Sequence, residues 1–131
     1  MIFTDTGYYR GLFDKKDIHH KDSLKIKDFL EDFNETTVIN TTVVLETLNQ
    51  SVKYNDDIKE LYNELMTENI FVSLTNDDYL NSMDINGWFG NSVNFNDCTI
   101  ICTMMNLGIN RIVSFDMDFE KLDNYEVISA V

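Results

Sequence analysis

IFTDTGYYRGLF, residues 2–13, begins with a short apolar run that ends in Asp5 and continues into a predicted helix at residues 7–13. We interpret residues 2–4 as a buried strand. The same order, an apolar or β-branched run followed by helical periodicity, recurs along the chain. Strands are predicted by this criterion at residues 37–39, 70–74, 111–114 and 126–129.

Helical segments separate these strands. Within residues 20–33, apolar side chains recur at i, i+3, i+4 and i+7, which is typical of an amphipathic helix, and Asp17 is its candidate N-cap. Because strands and helices alternate throughout, we predict a three-layer α/β/α fold with a mostly parallel sheet of four to five strands. No proline, Gly/Ser linker or repeat divides the chain, so residues 1–131 are expected to form a single domain. Further helices are predicted at residues 41–48, 58–65, 77–88 and 97–107.

The chain is strongly acidic, with 23 Asp and Glu against 10 Lys and Arg and a formal net charge of −13. This balance argues against broad electrostatic binding of nucleic acid. The apolar fraction of 44% excludes a disordered chain. With no long apolar run and no signal-like N-terminus, a cytoplasmic protein without a membrane segment is expected. Several bases cluster early in the chain, as either a basic lip or a solvated helix face: Arg10, Lys15, Lys16, Lys21, Lys25 and Lys27.

Four acids from separated segments are predicted to meet at one edge of the sheet. Asp5 closes the first strand, Asp116 follows the fourth, and Asp97 begins a helix whose N-terminus would face the same edge. Glu46 lies among apolar neighbours on the helix after the second strand, although a solvent-facing position would suit it equally. Ligands of such folds bind beyond the carboxyl ends of the strands. Crowded carboxylates repel one another unless a cation is bound, and Mg²⁺ and Mn²⁺ prefer such oxygen ligands.

The segments that carry these acids resemble, in order and spacing, the motifs of the PIN-domain family. They are IFTDT (2–6), VVLETL (43–48), NDCTII (96–101) and IVSFDMDF (112–119). The resemblance covers essentially the whole chain. Unlike many family members, this chain has no Ser or Thr just before the third motif.

The resemblance implies roles for particular residues. Asp5, Asp97 and Asp116 would bind metal, and Glu46 would bind it too or orient the attacking water. Ser114 would support the pocket by hydrogen bonding, and Asp118 would be an accessory acid.

The resemblance also implies an activity and partners. The chain would be an endoribonuclease dependent on Mg²⁺ or Mn²⁺, of the kind found as the toxin in VapBC-type toxin–antitoxin pairs. RNA would be the substrate, an antitoxin protein the partner, and a homodimer the assembly. We expect the bases Arg10, Lys15 and Lys16 to contact phosphates beside the cleaved bond. The aromatic candidates for a dimer contact are Tyr8, Tyr9, Trp88 and Phe89.

Two other functions remain open at this point. The first is a non-catalytic interaction module on the same fold with a vestigial acidic site, because a fold does not guarantee a function. Uptake of Mn²⁺ would distinguish it from a nuclease. The second rests on residues 5–7, which spell the Asp-Thr-Gly triplet of aspartic proteases; the helical periodicity disfavours that nearly all-β fold.

Three residue pairs have both a functional and a structural interpretation. Neighbouring residues His19 and His20 would form a metal pair or a base, but on a helix they point about 100° apart, which favours a helix start at the surface. Residues 88–89, Trp-Phe, would be a platform for a nucleobase or, more commonly, core or interface. Cys98 and Cys102 are best explained as buried free thiols.

Overall fold

The structure is a computed structural model that describes residues 1–51 and 57–131. The strands of the described residues are β1 (Ile2–Thr4), β2 (Thr37–Asn40), β3 (Ile70–Val72), β4 (Arg111–Val113) and β5 (Glu126–Ile128). They pair in parallel in the order β3-β2-β1-β4-β5. Helices cover the sheet, so the predicted three-layer α/β/α class with a parallel sheet is confirmed.

The helices lie close to the predicted ranges. They are α1 (Thr6–Phe13), α2 (His20–Asp32), α3 (Thr41–Ser51), α4 (Ile58–Glu68), α5 (Asn76–Trp88) and α6 (Phe95–Leu107), with a 3₁₀ helix at Met117–Lys121. The prediction of Asp17 as the N-cap of α2 was wrong. His19 holds that position without a side-chain capping bond, and Asp17 Oδ1 instead accepts a hydrogen bond from the His19 backbone N–H at 2.8 Å.

The sheet is buried on both faces. All three residues of β1 are buried, and so are Ile112 and Val113 of β4. This is the expected environment of a parallel sheet, whose faces are both covered by helices. Helix α6 is buried over eight successive residues, Asp97 to Met104, which include both cysteines. Cys98 and Cys102 are free, in agreement with the prediction of buried thiols.

Two aromatic residues proposed for a dimer contact are part of the core. Tyr8 and Tyr9 are only 5% and 6% exposed, because α1 packs them inward. The Tyr9 hydroxyl forms a hydrogen bond of 2.6 Å with Thr4 Oγ1 and donates to Asn69 Oδ1 at 3.0 Å. The prediction that these tyrosines contact a second copy was therefore wrong. Across residues 1–51 and 57–131, no helix has the length and apolarity needed to span a bilayer.

The strand order positions the candidate site. From β1, the chain moves to β2 and β3 on one side of the sheet and to β4 and β5 on the other. The reversal between β1 and β4 is a topological switch point, and ligands bind in the crevice beyond the strand ends at such points. Asp5 lies there, directly after β1, and its backbone N–H donates to the Val113 carbonyl at 3.0 Å.

Candidate metal centre

The four acids singled out from the sequence line one pocket of about 320 Å³. Asp5 follows β1, Glu46 lies on α3, Asp97 lies in the first turn of α6, and Asp116 follows β4. The pocket is therefore at the carboxyl edge of the sheet, at the switch point. Its other lining residues are Thr6, Gly7, Arg10, His19, Gln50, Asn94 and Phe115.

Asp5 is held rigidly in the wall of this pocket. Its Oδ1 accepts the Thr6 backbone N–H at 2.7 Å, which caps α1, and its Oδ2 accepts the Ser114 hydroxyl at 2.8 Å. Burial raises the pKa of Asp5 from 3.8 to about 6, although both hydrogen bonds oppose the shift. The charged form of Asp5 is thus poorly solvated by the protein alone.

Ser114 joins the two loops that carry Asp5 and Asp116. It is fully buried, and its hydroxyl oxygen also accepts the Asp116 backbone N–H at 3.0 Å. Donating to one acid and accepting from the backbone of the other, this hydroxyl fixes the distance between the loops after β1 and β4. That hydrogen-bonded position suits the supporting role predicted from the sequence.

Asp97 is the most perturbed acid of the pocket. It is 6% exposed, and its Oδ2 has no hydrogen-bond partner among the described residues. Burial, followed by the charges of Asp116 and Asp5, raises its pKa from 3.8 to about 8. A buried carboxylate oxygen without a donor is costly, so this atom calls for a cation or a proton.

The residues present fit a hard divalent cation. Asp97, Asp116 and Asp118 each offer a carboxylate oxygen, and these atoms lie within 4.8 Å of one another. An all-oxygen donor set with high negative charge is the type that Mg²⁺ and Mn²⁺ prefer. Asp118 also forms an ion pair with Lys121 at 3.2 Å, so it lies at the edge of this cluster.

Asn94, two residues before the third motif, caps the helix that carries Asp97. It is the N-cap of α6, and its side chain accepts the Asp97 backbone N–H at 2.9 Å. The cap begins the helix at the point that directs Asp97 into the pocket. An asparagine satisfies the same orphan N–H as a serine or threonine, so the departure from the pattern leaves the local geometry intact.

Glu46 faces the pocket from α3. Its Oε1 accepts the Thr6 hydroxyl at 3.2 Å, and the residue is half-buried. Gln50, one helical turn later, lines the same pocket and has a buried Oε1 without a partner among the described residues. The sequence analysis missed Gln50, although its i+4 spacing from Glu46 places both on one helix face.

The predicted phosphate-contacting bases are only partly at the site. Arg10 lines the pocket and pairs with Asp17 at 3.1 Å. Lys15 and Lys16 lie exposed in the turn after α1 and are not in the pocket lining. Helix α1 ends at Phe13, so these two lysines are not on the helix that carries Arg10.

Aromatic residues enter the pocket at positions that the sequence analysis did not favour. His19 and Phe115 both line it, and their rings stack with centroids 4.0 Å apart. His20 begins α2 and turns elsewhere, forming a hydrogen bond of 2.7 Å between its Nδ1 and the Gly11 carbonyl. Trp88, which was considered as a base platform, is 68% exposed and lines a different pocket beside α6.

Solved structures with the same fold come from bacterial toxin–antitoxin systems. The crystal structure of Mycobacterium tuberculosis VapC20, a Sarcin-Ricin loop cleaving toxin, has a TM-score of 0.74 at 19% identity and covers 92% of this chain and 94% of its own. A toxin–antitoxin complex from Klebsiella pneumoniae has a TM-score of 0.74 at 15% identity, covering 98% and 96%. VapBC2 from Rickettsia felis, bound to a promoter DNA fragment, has a TM-score of 0.66 at 16% identity, covering 97% of each chain.

These identities are low, so the structural likeness shows the fold alone. No curated protein sequence matches the chain. The sequence model of the PIN domain, however, matches residues 2–125, which is nearly the whole chain. That range contains all four acidic segments that meet in the pocket. The chain therefore belongs to the PIN-domain family.

Proposed function

We propose that this chain is a metal-dependent endoribonuclease and the toxin of a VapBC-type toxin–antitoxin pair. One observation carries the proposal: four carboxylates from four separated segments line a single pocket beyond the ends of β1 and β4. PIN domains are generally nucleases, and the fold is that of VapC20, a toxin that cleaves the Sarcin-Ricin loop. RNA is a polyanion, so a pocket of carboxylates would bind it only if cations are held between the carboxylates and the phosphates.

The acids divide into ligands and a base. Asp5, Asp97 and Asp116 would hold one or two Mg²⁺ or Mn²⁺ ions, with Asp118 as an accessory acid. When bound, such an ion stabilises the negative charge that develops on the phosphate during hydrolysis. Glu46, whose Oε1 accepts the Thr6 hydroxyl, would bind the ion too or orient the attacking water.

The remaining parts of the proposal concern substrate and partners. Among the residues that line the described pocket, Arg10 is the single lysine or arginine. We expect it to contact a phosphate beside the cleaved bond. The Klebsiella and Rickettsia relatives are complexes of a toxin with its antitoxin, so an antitoxin partner is part of the proposal for this chain. A cytoplasmic location and a homodimer complete it.

The proposal is tested by cleavage of a structured RNA that contains a sarcin–ricin-type stem-loop. Wild-type protein is expected to cut it with Mn²⁺ or Mg²⁺ and to stop in excess EDTA. Asp5→Asn should lower the rate by more than about 100-fold, because changes outside the immediate ligands of metal sites already cost about 10- to 100-fold. Asp84→Asn, an exposed acid on α5, is the matched control and should cut like wild type.

The same experiment separates the nuclease from a vestigial module. Calorimetric titration with Mn²⁺ should show binding by wild type and weakened binding by Asp5→Asn. Undiminished cleavage in EDTA would exclude the metal-dependent mechanism. Absence of both Mn²⁺ binding and cleavage would support the non-catalytic interaction module instead.

A further inference from the structure

The acidic pocket contains a stacked pair of rings from two distant loops. His19 lies between α1 and α2, and Phe115 lies between β4 and the 3₁₀ helix. Their centroids are 4.0 Å apart and their planes are only 4° from parallel. Both side chains are half-buried and line the pocket with the carboxylates. The pair therefore presents flat π surface at the place where the proposed reaction would occur.

Phe115 is supported from the first helix. A Cβ added to Gly7 of α1 would lie 3.5 Å from Phe115 Cδ2, so the helix backbone lies close against this ring. His19 packs on the ring in parallel. Phe115 is therefore contacted by both Gly7 and His19, while His19 is half-buried at the pocket.

The charge of the molecule limits how an RNA can be held there. The chain carries a net charge of −13, and the described pocket lining contains four carboxylates and, of lysine and arginine, Arg10 alone. Arg10 is also shared with Asp17. Phosphate contacts by cations dominate the affinity of most nucleic-acid-binding proteins. Here few such contacts are available, so binding must draw on interactions that do not depend on charge.

We propose that the His19–Phe115 pair is a nucleobase-binding subsite, which stacks a base of the RNA next to the scissile phosphate. The proposal rests on the ribonuclease function proposed above. Stacking of a base on an aromatic side chain tolerates any base and needs no positive charge. Arg10, in the same pocket, would contact the phosphate that joins the stacked nucleotide to the cleaved bond.

A purely structural role for the pair makes different predictions. Phe115 immediately precedes Asp116, so His19 could act only by holding Phe115 and thereby the acid. Loss of His19 would then weaken Mn²⁺ binding and slow the cleavage of every substrate equally. A base-binding role instead leaves Mn²⁺ affinity unchanged and depends on whether a base is present at the contacted nucleotide.

The experiment uses the structured RNA that tests the proposed function and a pool of random 12-nucleotide RNAs, each with Mn²⁺, to map one cut site for the wild-type protein. That RNA is then remade with a single abasic nucleotide at each position within three of the cut. We measure kcat/KM for wild type, His19→Ala, His19→Leu and His19→Phe, and Mn²⁺ affinity for each. Phe33→Ala, which removes an exposed ring at the end of α2 outside the pocket, is the control.

At one abasic position, wild type should lose about fivefold to 100-fold in kcat/KM. His19→Ala and His19→Leu should show the same loss on intact RNA and no further loss on the abasic RNA. His19→Phe should restore cleavage, and Mn²⁺ affinity should stay unchanged in the whole series.

Three outcomes would overturn the subsite. The first is that His19→Ala cleaves with the kcat/KM of wild type. The second is that its loss of kcat/KM is the same on every abasic RNA as on intact RNA, so that the two losses multiply at every position. The third is that His19→Ala weakens Mn²⁺ binding and lowers kcat/KM equally on all RNAs. In each case wild-type cleavage still stands, so the ribonuclease function is retained. If wild type cleaves neither the structured RNA nor any RNA in the pool, the proposed function fails and the subsite fails with it.

Discussion

At the scale of single residues, the pocket places carboxylates where the protein itself solvates them poorly. Asp97 has an oxygen without a donor among the described residues, and Asp5 has its pKa raised by burial despite two hydrogen bonds. Groups with such shifts are concentrated at functional sites, because catalysis and ligand binding often need shifted pKa values. The arrangement costs stability in the free protein, and a bound cation would offset that cost.

The cost can be measured with Asp97→Asn. In EDTA at pH 7, the variant should be as stable as wild type or more stable by up to about 4 kcal/mol, because burial and like charges raise the pKa of Asp97 and each pKa unit corresponds to about 1.4 kcal/mol. Mn²⁺ should stabilise wild type and have little effect on the variant. Urea unfolding with and without Mn²⁺ gives both values, with Asp84→Asn as the control. A large destabilisation in EDTA would mean that Asp97 is instead a structural hydrogen-bonding residue.

The raised pKa values also predict how stability depends on pH. Asp5 and Asp97 have folded-state pKa values of about 6 and about 8, whereas the ordinary pKa of an aspartate is 3.8. Between pH 4 and 8 the folded protein thus binds more protons at these sites than the unfolded chain, and stability falls as pH rises. The free energy of unfolding in EDTA should decrease from pH 5 to pH 8. Saturating Mn²⁺ should remove or reverse this trend, because binding requires the deprotonated acids.

Urea titrations at pH 5, 6.5 and 8 test this dependence. The double variant Asp5→Asn, Asp97→Asn serves as the control, since it should lose most of the slope in EDTA. A wild-type protein that becomes more stable from pH 5 to pH 8 without metal would contradict the prediction.

At the scale of elements, the contact between α1 and α2 positions one side of the pocket. Arg10 and Gly7 lie on α1, and His19 lies directly before α2. The two helices are closely packed at Gly11. A Cβ there would clash with the hydroxyl of Ser23 and lie 2.9 Å from its Cβ, and 3.1 Å from the His19 carbonyl. Gly11 is thus required by close packing of the helices.

Gly11→Ala should destabilise the protein by about 1–3 kcal/mol, the usual cost of overpacking, despite the higher helix propensity of alanine. Ser23→Gly in the same protein should recover much of the loss by removing the opposing side chain. Gly87→Ala on α5 is the matched control. Nothing lies within 4 Å of its added Cβ, so it should be neutral or stabilising by up to about 1 kcal/mol. Thermal unfolding compares the four proteins; a neutral Gly11→Ala would disprove the close contact.

At the scale of the whole molecule, charge and apolar surface are unevenly distributed. The chain has no lysine or arginine between Glu60 and Arg111. Helix α5 falls in this region and exposes large apolar side chains, with Leu80 at 51%, Met83 at 56% and Trp88 at 68%. Of the aromatic residues predicted for a dimer contact, Tyr8 and Tyr9 are buried and Trp88 is exposed on this face, so we test it as the dimer contact.

A dimer through α5 would bring two acidic faces together. We therefore expect its population to rise with salt concentration, which screens the repulsion between them. Met83→Glu and Trp88→Glu should shift the protein to monomer, while Phe33→Glu, at a site as exposed as Trp88 but on α2, should not. Light scattering over a range of protein and salt concentrations measures the mass. A wild-type monomer under all conditions would rule the homodimer out.

Local sequence patterns were sufficient to predict the elements and the acids. Apolar periodicity depends on neighbouring residues, so the alternation of strands and helices follows from the chain itself. Asp5 and Asp116 could be assigned to the sheet edge because each closely follows a strand. A carboxylate that comes directly after a parallel strand has little choice of where to lie.

The tertiary structure decided what depends on contacts between distant segments. The strand order puts β1 beside β4 and so brings Asp5 to the Ser114 hydroxyl, 109 residues later. The stacking of His19 on Phe115 and the burial of Tyr8 and Tyr9 likewise depend on which helix packs against which strand. Periodicity shows that a residue has an inward or outward face, but the partner on that face is chosen by the packing of the whole chain. The acids of the site could therefore be predicted from the sequence, whereas the rings beside them could not.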